Sequence, residues 1–324
     1  MQPIQHRFIQ STGVRLRVAE QGTGPLVVLC HGFPESWYSW RHQFDALAQA
    51  GYRVVAPDMR GYGQSDAPEA VSAYSLLHLV GDVVAVVQDI GAKQAVVVGH
   101  DWGAPVAWHT ALMRPDLFCG VVALSVPFRG RPPALPTSMM PSDAQAQFYQ
   151  LYFQPPGVAE QELSRDVRTT LSSLLYGVSG GAAQPRRALM VPHGGGWLST
   201  MQIPASMPAW LSPEDLDLYV AEFERTGFRG GLNWYRNIDR NWELLAPYAG
   251  AKIRVPALFV AGERDPVIRG NAQELIDRMR EHVPLLQDVL LLPGCGHWTQ
   301  QERPQEVNAA LLRFLATVRA SHSA

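Results

Sequence analysis

Apolar and polar positions alternate or cluster in a regular rhythm over the first 128 residues. V-R-L-R-V-A-E-Q-G at 14–22 alternates and stops on glycine, the period-two signature of a half-buried strand. P-L-V-V-L-C-H-G at 25–32 and Y-R-V-V-A-P-D-M-R-G at 52–61 are short apolar runs closed by turn residues, as in the buried strands of a parallel sheet. L-L-H-L-V-G-D-V-V-A-V-V-Q-D-I-G at 76–91 has helical spacing and ends on Gly91, a good C-terminal cap. A strand over A-V-V-V-G-H-D, a helix ending near A-L-M-R-P-D and a strand over G-V-V-A-L-S-V-P-F follow. This alternation predicts an α/β sheet with helices on both faces.

The rhythm fails after Phe128. Residues 129–145 are too rich in proline for a regular element, and 146–243 read as helical and irregular, with no convincing strand. Strand-like runs resume at V-P-A-L-F-V-A-G-E-R-D and D-V-L-L-L-P-G-C-G-H, each followed by helical periodicity. The expectation is one α/β domain, 1–128 plus 244–324, interrupted by a linker loop and a mostly helical insertion over 129–243.

Composition narrows the function. The 324 residues are 47% hydrophobic and 17% charged, with a formal net charge of −2. No positive excess points to nucleic acid or an anionic membrane surface. No run approaches the ~20 apolar residues of a membrane helix, and the N-terminus lacks an apolar signal core, so a cytoplasmic protein without membrane insertion is expected. Three widely spaced cysteines, Cys30, Cys119 and Cys295, read as reduced thiols. Ten histidines lie scattered without ligand spacing, so no metal site is expected.

The chemistry concentrates at strand ends. G-H-D-W-G at 99–103 follows an apolar strand and precedes a helix, and it resembles the G-x-S-x-G nucleophile elbow of α/β-hydrolases with Asp101 in place of serine. In that fold the chain order is nucleophile, acid, histidine; Asp265 and His297 end two later strands and complete the order. L-C-H-G-F-P-E-S-W at 29–37 matches the oxyanion-hole loop, so the backbone N–H groups of Phe33 and Trp102 are the expected donors. His31 is read as a turn residue. A serine attacking saturated carbon would leave a dead-end ether. A carboxylate leaves an ester, whose carbonyl a histidine-activated water can attack. Asp101 therefore points to substitution at saturated carbon, at an epoxide or a carbon–halogen bond. For His297 an ordinary imidazole pKa of ~6.5 would suit a neutral base at pH 7.

At these residues the chain resembles the epoxide hydrolases of the α/β-hydrolase superfamily, most nearly the hydrolase domain of soluble epoxide hydrolases. The resemblance covers nearly the whole chain: H-G-F-P-E-S-W at 31–37, D-M-R-G-Y-G-Q-S-D at 58–66, G-H-D-W-G at 99–103 and G-C-G-H-W at 294–298. F-Y-Q-L-Y-F-Q-P-P-G at 148–157 and R-G-G-L-N-W-Y-R-N at 229–237 are its more specific motifs. It implies an α/β-hydrolase fold, mostly parallel sheet with helices on both faces, carrying an inserted helical cap or lid domain. It also implies that cap tyrosines Tyr149 and Tyr235 donate hydrogen bonds to the epoxide oxygen, with Tyr152 a packing residue. Arg60 and Asp66 become loop scaffold. The reaction needs an epoxide and water, with no metal or organic cofactor, in a monomer or homodimer.

Alternatives stay open. Haloalkane dehalogenases share the aspartate and the following tryptophan but often carry asparagine where this chain has Phe33. Fluoroacetate dehalogenases carry arginine where it has Trp102. A non-catalytic hydrolase-like binding protein is the third. Residues 129–145 and 180–212 are expected to shape the pocket entrance, with Trp197, Met201 and Met207 as candidate lining residues.

Overall fold

The computed structural model describes residues 3–182 and 189–321. Among these residues ten strands form: β1 Gln5–Ser11, β2 Val14–Gln21, β3 Leu26–Cys30, β4 Arg53–Pro57, β5 Ala95–His100, β6 Phe118–Leu124, β7 Ala146–Phe148, β8 Met190–Pro192, β9 Ala257–Gly262 and β10 Leu286–Leu292. Eight of them make one sheet in the order β1-β2-β4-β3-β5-β6-β9-β10. β2 runs antiparallel to both neighbours, and every pair from β4 to β10 is parallel.

The central strands are apolar throughout because both faces of the sheet are covered. Val27, Leu29, Val54, Val96, Val98 and Val122 face the cluster that holds Phe44 and Leu47 of α1 (Arg41–Gln49). The alternate positions Val28, Val55, Val97 and Val121 join Leu79, Val83 and Val87 of α2 (Leu76–Ile90) and Trp108 of α3 (Gly103–Met113). The period-two pleat thus sorts one apolar run into two cores. α2 ends at Gly91 with φ 71°, the left-handed cap expected of it.

Between β6 and β9 the chain leaves the sheet. It forms α4 (Tyr149–Tyr152), α5 (Val158–Leu163), α6 (Val167–Gly177), α7 (Pro213–Thr226), α8 (Arg229–Arg236) and α9 (Ile238–Leu244). After β9 come α10 (Ala272–His282), α11 (Thr299–Glu302) and α12 (Pro304–Ser321). None of the described helices is long and apolar enough to cross a membrane.

Two features depart from the sequence reading. β7 and β8 pair antiparallel inside the insert, where no strand was expected; three residues each are too few to show a period. β1 was also missed: it is an edge strand with only Ile9 buried, so its apolar signal is faint. Residues 183–188, part of the 180–212 stretch expected at the pocket entrance, lie outside the described residues.

Candidate active site

The site is built where the parallel strands end. β5 stops at His100, Asp101 turns at φ 50°, and α3 begins two residues later. A non-glycine residue in the left-handed region costs roughly 1–3 kcal/mol and persists only where its surroundings impose it. Here the imposition is close packing: a Cβ on Gly99 would strike the Gly103 carbonyl, and one on Gly103 would strike the Cys30 carbonyl. The turn lifts the Asp101 carboxylate above the sheet edge, at the N-terminal end of α3, where the helix dipole favours an anion.

One carboxylate oxygen is already bound. The Phe33 N–H donates to Asp101 Oδ1 at 2.7 Å. Trp102 N borders the same spot, since a Cβ on Gly32 would fall 2.5 Å from Asp101 Cβ and 2.7 Å from Trp102 N. The loop before α1 therefore needs glycine at 32 to bring its backbone onto the elbow.

The other oxygen faces a histidine. His297 Nε2 lies 3.2 Å from Asp101 Oδ2, and His297 Nδ1 lies 3.0 Å from Asp265 Oδ2. Asp265 is fully buried just beyond β9, and the Val267 N–H donates to its Oδ1 at 2.9 Å. Burial works against an imidazolium at His297, but Asp265 and Asp101 outweigh it and hold the pKa well above its ordinary value. The sequence reading expected a neutral base at pH 7. Between two charged carboxylates the imidazolium is favoured, whereas the sequence reading asked for a neutral imidazole only once Asp101 carries an ester.

The insert brings in the two tyrosines. Tyr149 opens α4 and Tyr235 lies in α8, with ring centroids 5.9 Å apart. α8 can seat on the core because Gly230 meets Gly61 backbone to backbone, and a Cβ on Gly231 would fall 2.6 Å from both the Phe33 ring and the Tyr62 hydroxyl. Side chains then tie the two tyrosine segments together. Gln154 Nε2 donates to the Tyr235 carbonyl at 3.0 Å, and Arg236 reaches the Phe153 carbonyl at 3.1 Å and Glu160 Oε1 at 2.6 Å. The two rings meet edge to face, at an interplanar angle of 73°. The Trp102 ring meets Tyr235 edge to face at 5.1 Å, and Gln150 Nε2 donates to the Tyr149 hydroxyl at 3.0 Å. Burial first, with further contributions that include the Asp101 charge, pushes both phenols up, so both keep their protons as donors.

The remaining expected residues fall into place around these. His31 accepts the Met59 N–H at 3.0 Å and sits in the turn, as read. Arg60 grips Asp82 at 2.6 Å and Asp66 accepts the Arg15 N–H at 2.7 Å, both scaffold contacts. Tyr152 donates to Glu162 at 2.9 Å. Trp197 stacks on Tyr149 at 5.2 Å, while Met201 lies against Gly177 and Met207 packs on the core. Among the described residues no group of three or more metal-ligating side chains gathers.

The model of the alpha/beta hydrolase fold family matches residues 25–304. Epoxide hydrolase A of Mycobacterium tuberculosis is 49% identical, over 95% of this chain and 96% of its own. Epoxide hydrolase 3 of Siraitia grosvenorii is 41% identical, over 97% and 99%. A solved epoxide hydrolase from an endophytic Streptomyces superposes with a TM-score of 0.95 at 47% identity, covering 98% of this chain and 96% of that one. The chain belongs to the epoxide hydrolases of the α/β-hydrolase fold family.

Within this family member, sequence reasoning missed a buried polar network under the site. His100 Nδ1 meets Glu35 Oε2 at 2.7 Å, and its Nε2 donates to the His297 carbonyl at 2.7 Å. Glu35 is fully buried, a cost overcome chiefly by His100, which holds its pKa at about 2. Gln300 and Gln301 donate to its other oxygen at 3.0 and 3.2 Å, and Ser125 Oγ donates to the His297 carbonyl at 2.7 Å. The oxyanion loop, the elbow strand and the histidine loop are thereby joined. His100 and Glu35 stand inside quoted motifs; the signal was a chargeable residue set in each apolar turn.

Proposed function

We propose that the chain hydrolyses epoxides to vicinal diols through an ester on Asp101. Residues 1–128 and 244–324 act as the hydrolase core, and 129–243 as linker and cap. The observation that carries this reading is the division of the Asp101 carboxylate: Oδ1 in the N–H pocket of Phe33, Oδ2 turned to His297. Oδ2 is then the nucleophile, and Oδ1 becomes the ester carbonyl oxygen, already seated where a tetrahedral oxyanion would need its donors.

Asp101 Oδ2 bonds to one epoxide carbon, the carbon–oxygen bond breaks, and the leaving oxygen takes a proton from the phenol pair Tyr149 and Tyr235. An alkoxide in a dry pocket is a poor leaving group without such donors. Alkylation also removes the Asp101 charge. Half of the anionic pairing that holds the proton on His297 disappears; that proton passes to the phenolate left by ring opening, and the neutral imidazole is a base at the moment a base is required. His297, oriented by Asp265, takes a proton from water; the water oxygen bonds to the ester carbonyl carbon, and the Phe33 and Trp102 N–H groups hold the oxyanion. Collapse breaks the bond from that carbon to the substrate oxygen, which takes a proton as the diol leaves and Asp101 returns to a carboxylate.

The test uses styrene oxide. Diol should accumulate with the native protein, without halide release from a haloalkane. His297→Gln should consume one equivalent and stall, with a mass gain equal to the epoxide mapped to Asp101. An unmodified His297→Gln protein that folds and binds substrate analogues would sink this division of labour.

A further inference from the structure

The loop that carries His297 is held from both sides. The His297 carbonyl accepts from His100 and Ser125 of the core, as described above. Its N–H instead donates to the Val178 carbonyl of the insert at 2.9 Å. The neighbouring Trp298 Nε1 donates to the Leu175 carbonyl in α6 at 2.7 Å. Backbone approaches backbone here: a Cβ on Gly180 would collide with the Gly294 carbonyl, and one on Gly296 with Ser179 and the Gly180 nitrogen.

Glu302 sits at this junction. Its Oε2 accepts the Gly180 N–H of the insert at 2.8 Å and the Gly296 N–H of the histidine loop at 3.1 Å. Its Oε1 accepts the Trp298 N–H at 3.1 Å. The two loop donors flank His297 in sequence, so one carboxylate fixes both ends of the peptide segment that aims the imidazole, and locks that segment to the insert. A buried carboxylate with three N–H donors is a stiff clamp, because withdrawing any donor leaves a polar group unpaired. The reaction described so far has no use for it.

We infer that Glu302 is a positioning residue for His297, clamping the histidine loop to residues 178–180 of the insert, so that the base is aimed only while the insert is seated. The inference rests on the reading of His297 as the base of ester hydrolysis. The insert then serves both halves of the reaction: its tyrosines act when the epoxide opens, and its 178–180 segment holds the base that clears the ester. Alkylation depends on Asp101 and the tyrosines, none of which Glu302 touches.

The two steps separate the inference from a merely structural role. In rapid-quench experiments with styrene oxide, read by intact mass, Glu302→Gln should alkylate within about twofold of the native rate. It should hydrolyse the ester about tenfold or more slowly, as expected when a base is misplaced by a fraction of an ångström. Ester should accumulate in the steady state, with kcat and KM falling together, and Glu302→Asp should recover part of the hydrolysis rate. Gly180→Ala pushes the same junction from the insert side and should give the same split, which decides the matter if Glu302→Gln does not fold. Equal slowing of both steps in the folded variants, or no slowing of either, would overturn the clamp. His297→Gln run in parallel tells the two failures apart. Ester in His297→Gln but no excess in Glu302→Gln or Gly180→Ala sinks the clamp alone. No ester in His297→Gln sinks the base assignment and the clamp with it.

Discussion

The hydrolase core and the helical insert contribute to the site by different physical means. The core holds its residues through backbone: Asp101 by a strained turn that glycines permit, Asp265 at a strand end, Oδ1 by the Phe33 N–H. The insert holds Tyr149 and Tyr235 through rings and side chains, with Phe153 5.4 Å from one ring and 5.0 Å from the other, and Trp197 stacked behind. Backbone placement suits the proposed nucleophile, whose geometry cannot drift. Ring packing suits the proposed donors, whose O–H groups would have to turn to an arriving oxygen.

That contrast predicts unequal sensitivity. The largest effect should come from the core: Asp101→Ala removes the group proposed to form the ester, and turnover should fall by roughly 10⁴-fold or more. Intact-mass analysis should find no adduct, and an adduct elsewhere on the chain would dissolve the contrast. In the insert, Tyr149→Phe and Tyr235→Phe should each slow alkylation by about 10–100-fold, since the partner donor remains. The double variant should lose on the order of 10³-fold or more. Near-native turnover by the double variant would leave the insert without a chemical role.

A subtler measurement sharpens the electrostatic side. Asp101→Asn keeps the shape of the elbow but removes the charge, as the proposed ester would. The His297 imidazolium then loses one of its two anionic neighbours, so its pKa should fall relative to the native protein, whose value is held well above the ordinary one. An NMR titration of His297 in both proteins checks the sign. An unchanged or higher value in Asp101→Asn would mean that alkylation does not release the base. The same raised pKa is a stability statement: the charged pairing stabilises the fold fully below the unfolded value of ~6.5 and is lost as pH rises through the raised folded value.

The smallest expected effect compares how each region is built. Asp166 caps α6 in the insert by accepting the Thr169 N–H at 2.9 Å, and Asp166→Ala should cost about 1 kcal/mol in denaturant unfolding. Leu29→Ala in the fully buried centre of the sheet should cost about 2–5 kcal/mol. A cap loss as large as the core loss would mean that the insert and the sheet unfold as one tightly coupled unit at α6.

Periodicity, turn residues and strand-end positions are local properties, and they were enough to read most of the sheet, the helix ending at Gly91 and the order Asp101, Asp265, His297. The identity of one residue, aspartate at the elbow, already pointed to attack at saturated carbon, because that expectation follows from bond chemistry rather than from place. The tyrosines were legible only through the resemblance, since two phenols 86 positions apart announce nothing by spacing. The edge strand β1 and the β7–β8 ribbon escaped because a strand with a single buried residue, or with three residues, leaves no periodic trace. Tertiary structure alone decided the rest. Glu35 meets Gln300 across 265 positions, Glu302 meets Gly180 across 122, and His297 lies between carboxylates 32 and 196 positions away. A buried charge is tolerable only with its partners, and those partners come from separate strands and from the insert, so protonation and positioning are settled by folding and not by any stretch of sequence.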